Sequence, residues 1–205
     1  KAQWQVLREL VRRRANAVVA GSTGSGKTTL LAALLGLVGN EERIVCIEEA
    51  AELRPVHPHV VHLQQRAANV QGRGEVPLAE LVRAAMRMRP DRIVLGEARG
   101  AEVRQMLTAL NTGHGGSWFT LHANSAEDVP ARLASLSGLA PGELALHGNA
   151  ALDAVVYVRR EGSARWVSQI AAVEGRDAMR CIPVVTRAQP DQRAAAARNP
   201  RRQGW

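Results

Sequence analysis

Residues 21–29 read Gly-Ser-Thr-Gly-Ser-Gly-Lys-Thr-Thr, and Gly21, Gly26, Lys27 and Thr28 satisfy the spacing G-x-x-x-x-G-K-[ST]. A loop of this kind can hold a polyphosphate. Gly21, Ser22, Thr23, Gly24, Ser25, Gly26, Lys27, Thr28 and Thr29 would turn successive backbone N–H groups toward one anion, and the positive end of a following helix would add to the attraction. The glycines let the loop curl tightly and approach the phosphates closely. Lys27 would reach the β- and γ-phosphates, and the Thr28 hydroxyl would complete the shell of an accompanying Mg²⁺. Of the 27 Lys and Arg residues only Lys1 and Lys27 are lysines. Elsewhere the chain meets its need for positive charge with Arg; here it uses the compact ammonium that behaves as a point charge among phosphate oxygens.

Hydrolysing a nucleotide also takes a metal, an oriented water and positive charge near the terminal phosphoryl group. Glu97 ends the apolar run that begins at Asp91, where such enzymes place a metal-side acid, although Asp is commoner there. Together with Thr28 it is the metal-side candidate. Glu48, Glu49 and Glu52 follow the apolar run Arg43 to Ile47. Crowded near a phosphate, such carboxylates would raise one another's pKa and suit water activation. His114 and His122 bracket another apolar run, whereas His57, His59 and His62 have no comparable setting. No Cys/His spacing points to zinc.

The elements that must position these groups follow from hydrophobic periodicity. Trp4, Leu7, Leu10 and Val11 set a helix over 2–14, closed by Arg12, Arg13 and Arg14 at its negative end. Strands are expected at 17–20, 43–47, 59–64, 91–97 and 117–121, with helices at 28–38, 78–88, 102–110 and 142–151. Ser125 can N-cap a helix with Glu127 and Asp128 in its first turn, which leaves Pro130 inside that helix, where it should bend it. Residues 154–158 and 165–171 alternate as antiparallel edge strands. No internal repeat is present. Alternating strands and helices imply an α/β fold with a mostly parallel sheet, whose ligands bind beyond the carboxyl ends of the strands. That rule puts the phosphate loop, Glu48 to Glu52, Glu97 and His122 on one rim.

At 205 residues the chain is long enough for a proper core, which must be built from Ala, Val, Leu and Ile because only 3% is aromatic. The net charge of +8 is terminal: residues 1–14 and 187–205 each carry five basic and one acidic side chain, and the rest balances. A nucleic-acid surface on the folded body is therefore not expected. Cys46 and Cys181 read as reduced, buried thiols of a cytosolic protein. The longest apolar stretch, 30–38, is far too short to span a membrane, and no secretory signal is visible. The chain begins at Lys1 and not at Met, so upstream sequence is expected.

Four stretches, in this order, resemble the ATPases of type II and type IV secretion systems, the RecA-like P-loop motors that also drive type IV pili. They are Gly21 to Thr29 (Walker A), Ile47-Glu-Glu-Ala-Ala-Glu-Leu53 (Asp box), Arg87 to Gly100 (Walker B) and Thr120-Leu-His-Ala-Asn124 (His box). Asn69 to Val76 looks most like the tight-adherence (Flp) pilus branch. The resemblance implies an ATPase using ATP and Mg²⁺. Glu52 would be the general base, Glu97 the Walker B acid, His122 a group orienting near the γ-phosphate and Arg132 a phosphate contact, with Arg99 inside the Walker B signature. It further implies a hexameric ring on the cytoplasmic face of the membrane, bound peripherally to inner-membrane platform proteins, with no stable nucleic-acid partner. Residues 1–186 would form the motor domain and 187–205 a basic, disordered tail, while the family's N-terminal domain has no counterpart here; alone, such a domain would bind nucleotide yet hydrolyse it poorly. Glu49 replaces the family's usual Asp, and Pro130 precedes Arg132 by two positions. Two other classes remain beside this one: a RecA-type nucleic-acid or conjugative DNA-transfer motor, and a non-catalytic nucleotide-binding regulatory subunit.

Overall fold

The computed structural model describes residues 2–175 and 177–187. The elements are α1 (Ala2–Arg12), β1 (Ala17–Gly21), α2 (Lys27–Leu35), β2 (Ile44–Glu48), β3 (Val60–Gln64), α3 (Leu78–Met86) and β4 (Arg92–Ala98). They continue as α4 (Glu102–Asn111), β5 (Trp118–Leu121), α5 (Val129–Ser137), α6 (Pro141–Ala151), β6 (Ala154–Glu161), β7 (Ala164–Glu174) and β8 (Arg180–Thr186). One sheet of eight strands has the order β3-β2-β4-β5-β1-β6-β7-β8. Pairing is parallel from β3 through β6 and antiparallel for β6–β7 and β7–β8.

The central strands are apolar on both faces because both faces are covered. Along β1, Ala17 and Val19 pack with α1 and α2 against Leu7, Val11, Leu31 and Leu34, while Val18 and Ala20 face Val103, Met106 and Leu133 on the α3–α6 side. The same alternation divides Ile44 and Cys46 from Val45 and Ile47 along β2. Cys46 and Cys181 are buried, free thiols, and burial pushes each up to about 12.

Three expectations change. α1 stops at Arg12, because Arg14 takes a φ of 55° and leads into the first strand. α5 begins at Val129 and not beside Ser125, so Pro130 lies in the first turn, where its missing N–H costs nothing. Ser125 Oγ instead accepts the Asp128 N–H at 3.2 Å. β8 was not anticipated; Pro183 sits in it, tolerated on the edge of the sheet. Apart from Arg187, the basic tail expected over 187–205 lies outside the described residues.

Candidate functional site

β1, β2, β4 and β5 are adjacent and parallel, so their carboxyl ends form one rim. β1 opens into the glycine-rich loop, and α2 begins at Lys27 itself. Gly21 adopts a φ of 155°, and a Cβ there would lie 2.4 Å from the Val158 carbonyl oxygen and 2.8 Å from Ser25 Oγ. Only glycine fits this turn. The Ser25 hydroxyl is fully buried and has no hydrogen-bond partner among the described residues. Such a polar atom in a curled loop of N–H groups suits an oxyanion ligand, which is how the loop fits a nucleotide phosphate.

Lys27 is buried, and its Nζ donates to the carbonyls of Gly21 (3.1 Å) and Ser22 (3.0 Å) while lying 3.4 Å from His122 Nδ1. Burial pulls its ammonium below the ordinary lysine value, with Glu97 opposing the change and Arg99 adding to it. On the other side of the imidazole, His122 Nε2 meets Glu97 Oε1 at 2.5 Å, a close polar contact without the alignment of a hydrogen bond. Glu97 Oε2 accepts from Arg99 Nη2 at 2.8 Å, and Arg99 Nη1 reaches Glu49 Oε2 at 2.7 Å. A continuous polar chain thus runs Lys27–His122–Glu97–Arg99–Glu49. Burial acts to raise the Glu97 pKa, but the hydrogen bond from Arg99 and the charges of His122, Arg99 and Lys27 outweigh it and hold the carboxyl below the usual range. The acids also divide their work: Glu49 pairs with Arg99, Glu48 is buried and accepts backbone N–H groups, and Glu52 opens into the cavity.

That cavity, of about 970 Å³, is lined by Thr23 to Leu30 and Ala33 of the loop and α2, by Glu52, Glu97, Arg99 and His122, and by Val158, Arg165, Trp166 and Val167 of the β6–β7 hairpin. Lys27, Thr28, Glu52, Glu97 and His122 are brought together. Arg132 is not in this cavity. It lines a neighbouring cleft of about 630 Å³ with Ser22, Thr23, Asn124 and Asp128, which His122 and Thr23 share with the first. His114 lies before β5, with Nδ1 3.0 Å from the Ala109 carbonyl oxygen, and takes no part in the rim. Sequence reasoning missed Arg165, whose Nε donates to the Gly24 carbonyl at 3.1 Å, and Arg160, which leans on the same glycine. Both come from a hairpin remote in sequence, so no local spacing signals them.

No group of three or more His, Cys, Asp or Glu side chains among the described residues converges as a metal cage. Mg²⁺ keeps several waters and binds through one or two protein oxygens plus phosphates, and Thr28 and Glu97, which line the same cavity, carry oxygens of that kind. Among the described residues no helix is long and apolar enough to cross a membrane.

A family described as Type II/IV secretion system protein matches residues 1–172. A putative conjugal transfer protein of Mycobacterium tuberculosis is 54% identical over 160 residues, 77% of this chain and 46% of that protein. The crystal structure of the VirB11 ATPase from the Brucella suis type IV secretion system, in complex with sulphate, superposes with a TM-score of 0.72 at 33% identity, covering 83% of this chain and 52% of that one. The pilus retraction motor PilT with bound ADP gives 0.62 at 26% identity, covering 90% and 51%. The chain spans about half the length of the relatives it matches.

Proposed function

This chain belongs to the Type II/IV secretion system protein family, and from that premise we propose that it is the ATP-hydrolysing domain of a motor that powers secretion or pilus assembly. The observation that carries the reading is the single cavity lined by Lys27, Thr28, Glu52, Glu97 and His122. Residues 21–29 bind the phosphates through backbone N–H groups and the Ser25 hydroxyl. Lys27 exchanges its two carbonyl partners for β- and γ-phosphate oxygens, a stronger charge-assisted pairing. Thr28 and Glu97 would hold Mg²⁺, which when bound would neutralise charge developing on the phosphoryl oxygens. Glu52 takes a proton from the attacking water. His122, held between Lys27 and Glu97, links the terminal phosphate to the metal-side acid. Arg132 reaches the phosphates only if its cleft closes over the loop at Ser22 and Thr23.

The motor works as a hexameric ring bound peripherally to membrane platform proteins on the cytoplasmic side, and a further domain completes the nucleotide site. Its branch is that of the tight-adherence pilus motors, a reading that rests on Asn69 to Val76. A second reading, supported by the 54% identity to a putative conjugal transfer protein, makes the cargo that of a conjugative system. Phosphate release by the intact protein tests both. Lys27→Ala and Glu97→Gln should each lower ATP turnover by at least about 100-fold, the scale of losing one preorganised electrostatic contact. Wild-type turnover in either variant rules out the site. Stimulation by DNA with a steep salt dependence selects a nucleic-acid motor over a protein or pilin motor.

A further inference from the structure

Glu48 ends β2 and Glu49 and Glu52 follow it, and sequence alone treats the three alike. The structure gives the first a separate task. Glu48 is 4% exposed, yet it points neither at Lys27 nor into the nucleotide cavity. Its Oε1 accepts two consecutive backbone N–H groups, from Glu52 at 2.9 Å and Leu53 at 2.7 Å. Leu53 is itself fully buried, so both ends of the Glu52 peptide are anchored while the Glu52 side chain faces the cavity. Oε2 looks toward His62 Nδ1 of β3 at 3.6 Å.

The Glu48 side chain also crosses the end of β4. A Cβ on Gly96 would fall 2.8 Å from Glu48 Cγ and 3.3 Å from Oε1, so position 96 must be glycine for the carboxylate to lie there. The Gly96 carbonyl accepts from Thr120 Oγ1 of β5 at 2.6 Å. Glu97 comes next in the chain after Gly96, and His122 comes two residues after Thr120. One buried carboxylate therefore sits where the ends of three strands meet, beside the residues that carry the metal-side acid and the His box.

We infer that Glu48 is a positioning residue that fixes Glu52 against Glu97. This rests on the reading of Glu52 as the water-activating carboxylate. A buried carboxylate accepting two N–H groups holds a loop with charge-assisted strength, and losing an outer partner that orients a site residue costs about 10- to 100-fold in affinity or activity.

The test is steady-state ATP hydrolysis by the intact protein, paired with titration of a fluorescent adenine nucleotide. Glu48→Ala should lower kcat by about 10- to 100-fold while KM and nucleotide affinity stay within about threefold. Glu48→Gln, whose amide oxygen can still accept both N–H groups, should recover kcat to within about threefold of wild type. Where Glu48→Ala does not fold, Gly96→Ala carries the test, because it pushes the Glu48 side chain aside without removing it and should lower kcat in the same way. Wild-type kcat in Glu48→Ala or Gly96→Ala overturns the inference, and so does a parallel loss of nucleotide affinity and kcat. Lys27→Ala in the same series separates the two claims: if it is inactive while Glu48→Ala is normal, only the positioning role fails, and if it too is fully active the nucleotide reading fails first.

Discussion

Lys27 is buried among loop carbonyls, which are neutral partners for a full charge. Burial lowers its pKa, with Glu97 opposing. Bound phosphates would favour the charged form and raise the pKa again, so binding takes the protonated lysine. Nucleotide affinity should therefore fall as pH rises from neutral, and at a lower pH than the ordinary lysine value of 10.5 implies. A fluorescent-nucleotide titration across alkaline pH checks this; Lys27→Ala should bind weakly and without that dependence. For folding alone the sign is the reverse. The folded chain holds the Lys27 proton less tightly than the unfolded chain, so this lysine costs stability at neutral pH and the cost disappears as pH rises. Glu97 behaves oppositely: its depressed folded value contributes stability above the unfolded value of 4.5, lost as pH falls through the folded one. The lysine, Thr28 and Glu97 were legible from spacing after an apolar run. The division of labour among Glu48, Glu49 and Glu52 was not, because it depends on Gly96, Arg99 and Leu53, which local sequence does not place beside them.

Among the elements, α5 shows how one residue moves a boundary. Its first turn contains Pro130, and Asp128 precedes it as the cap position. The proline ring presets φ for the first helical turn and removes a donor that has no helical acceptor there. Pro130→Ala should therefore change unfolding free energy by less than about 1 kcal/mol in urea melts; a proline inside the helix would instead be a source of strain worth about 3 kcal/mol. A bend in α5 is thus not needed to explain how Arg132 is presented. The β6–β7 hairpin is the other informative element. Its pairing is antiparallel and in the expected place, but β6 runs on to Glu161 and β7 starts at Ala164, so the turn end is long enough for Arg160 and Arg165 to reach Gly24. Alternation signals a strand; it does not signal how far the strand overhangs a loop.

Across the whole molecule, the end of the sheet opposite the site is held by charge. Arg92 is 2% exposed at the start of β4, and its guanidinium reaches both Glu42 oxygens at 2.8 and 2.9 Å, the Val11 carbonyl at 3.1 Å and the Gly116 carbonyl at 3.3 Å. It therefore ties α1, the approach to β2, β4 and the approach to β5. Arg92→Ala should lower the unfolding free energy by about 1–3 kcal/mol, because it leaves the Val11 and Gly116 carbonyls without this donor while Arg14 still pairs with Glu42 at 2.8 Å, with urea denaturation as the measure. From the sequence alone came the α/β class, the parallel core, the strand ends that bear function and the nucleotide chemistry, since strand periodicity and the spacing of glycines and lysine in one loop are local properties. The tertiary structure alone decided β8, the separation of Arg132 from the nucleotide cavity, the arrival of Arg165 at the loop and the burial of Glu48 beneath Gly96. The last two are contacts between residues far apart in the chain, set by which strands become neighbours in the sheet, and no local pattern encodes that order.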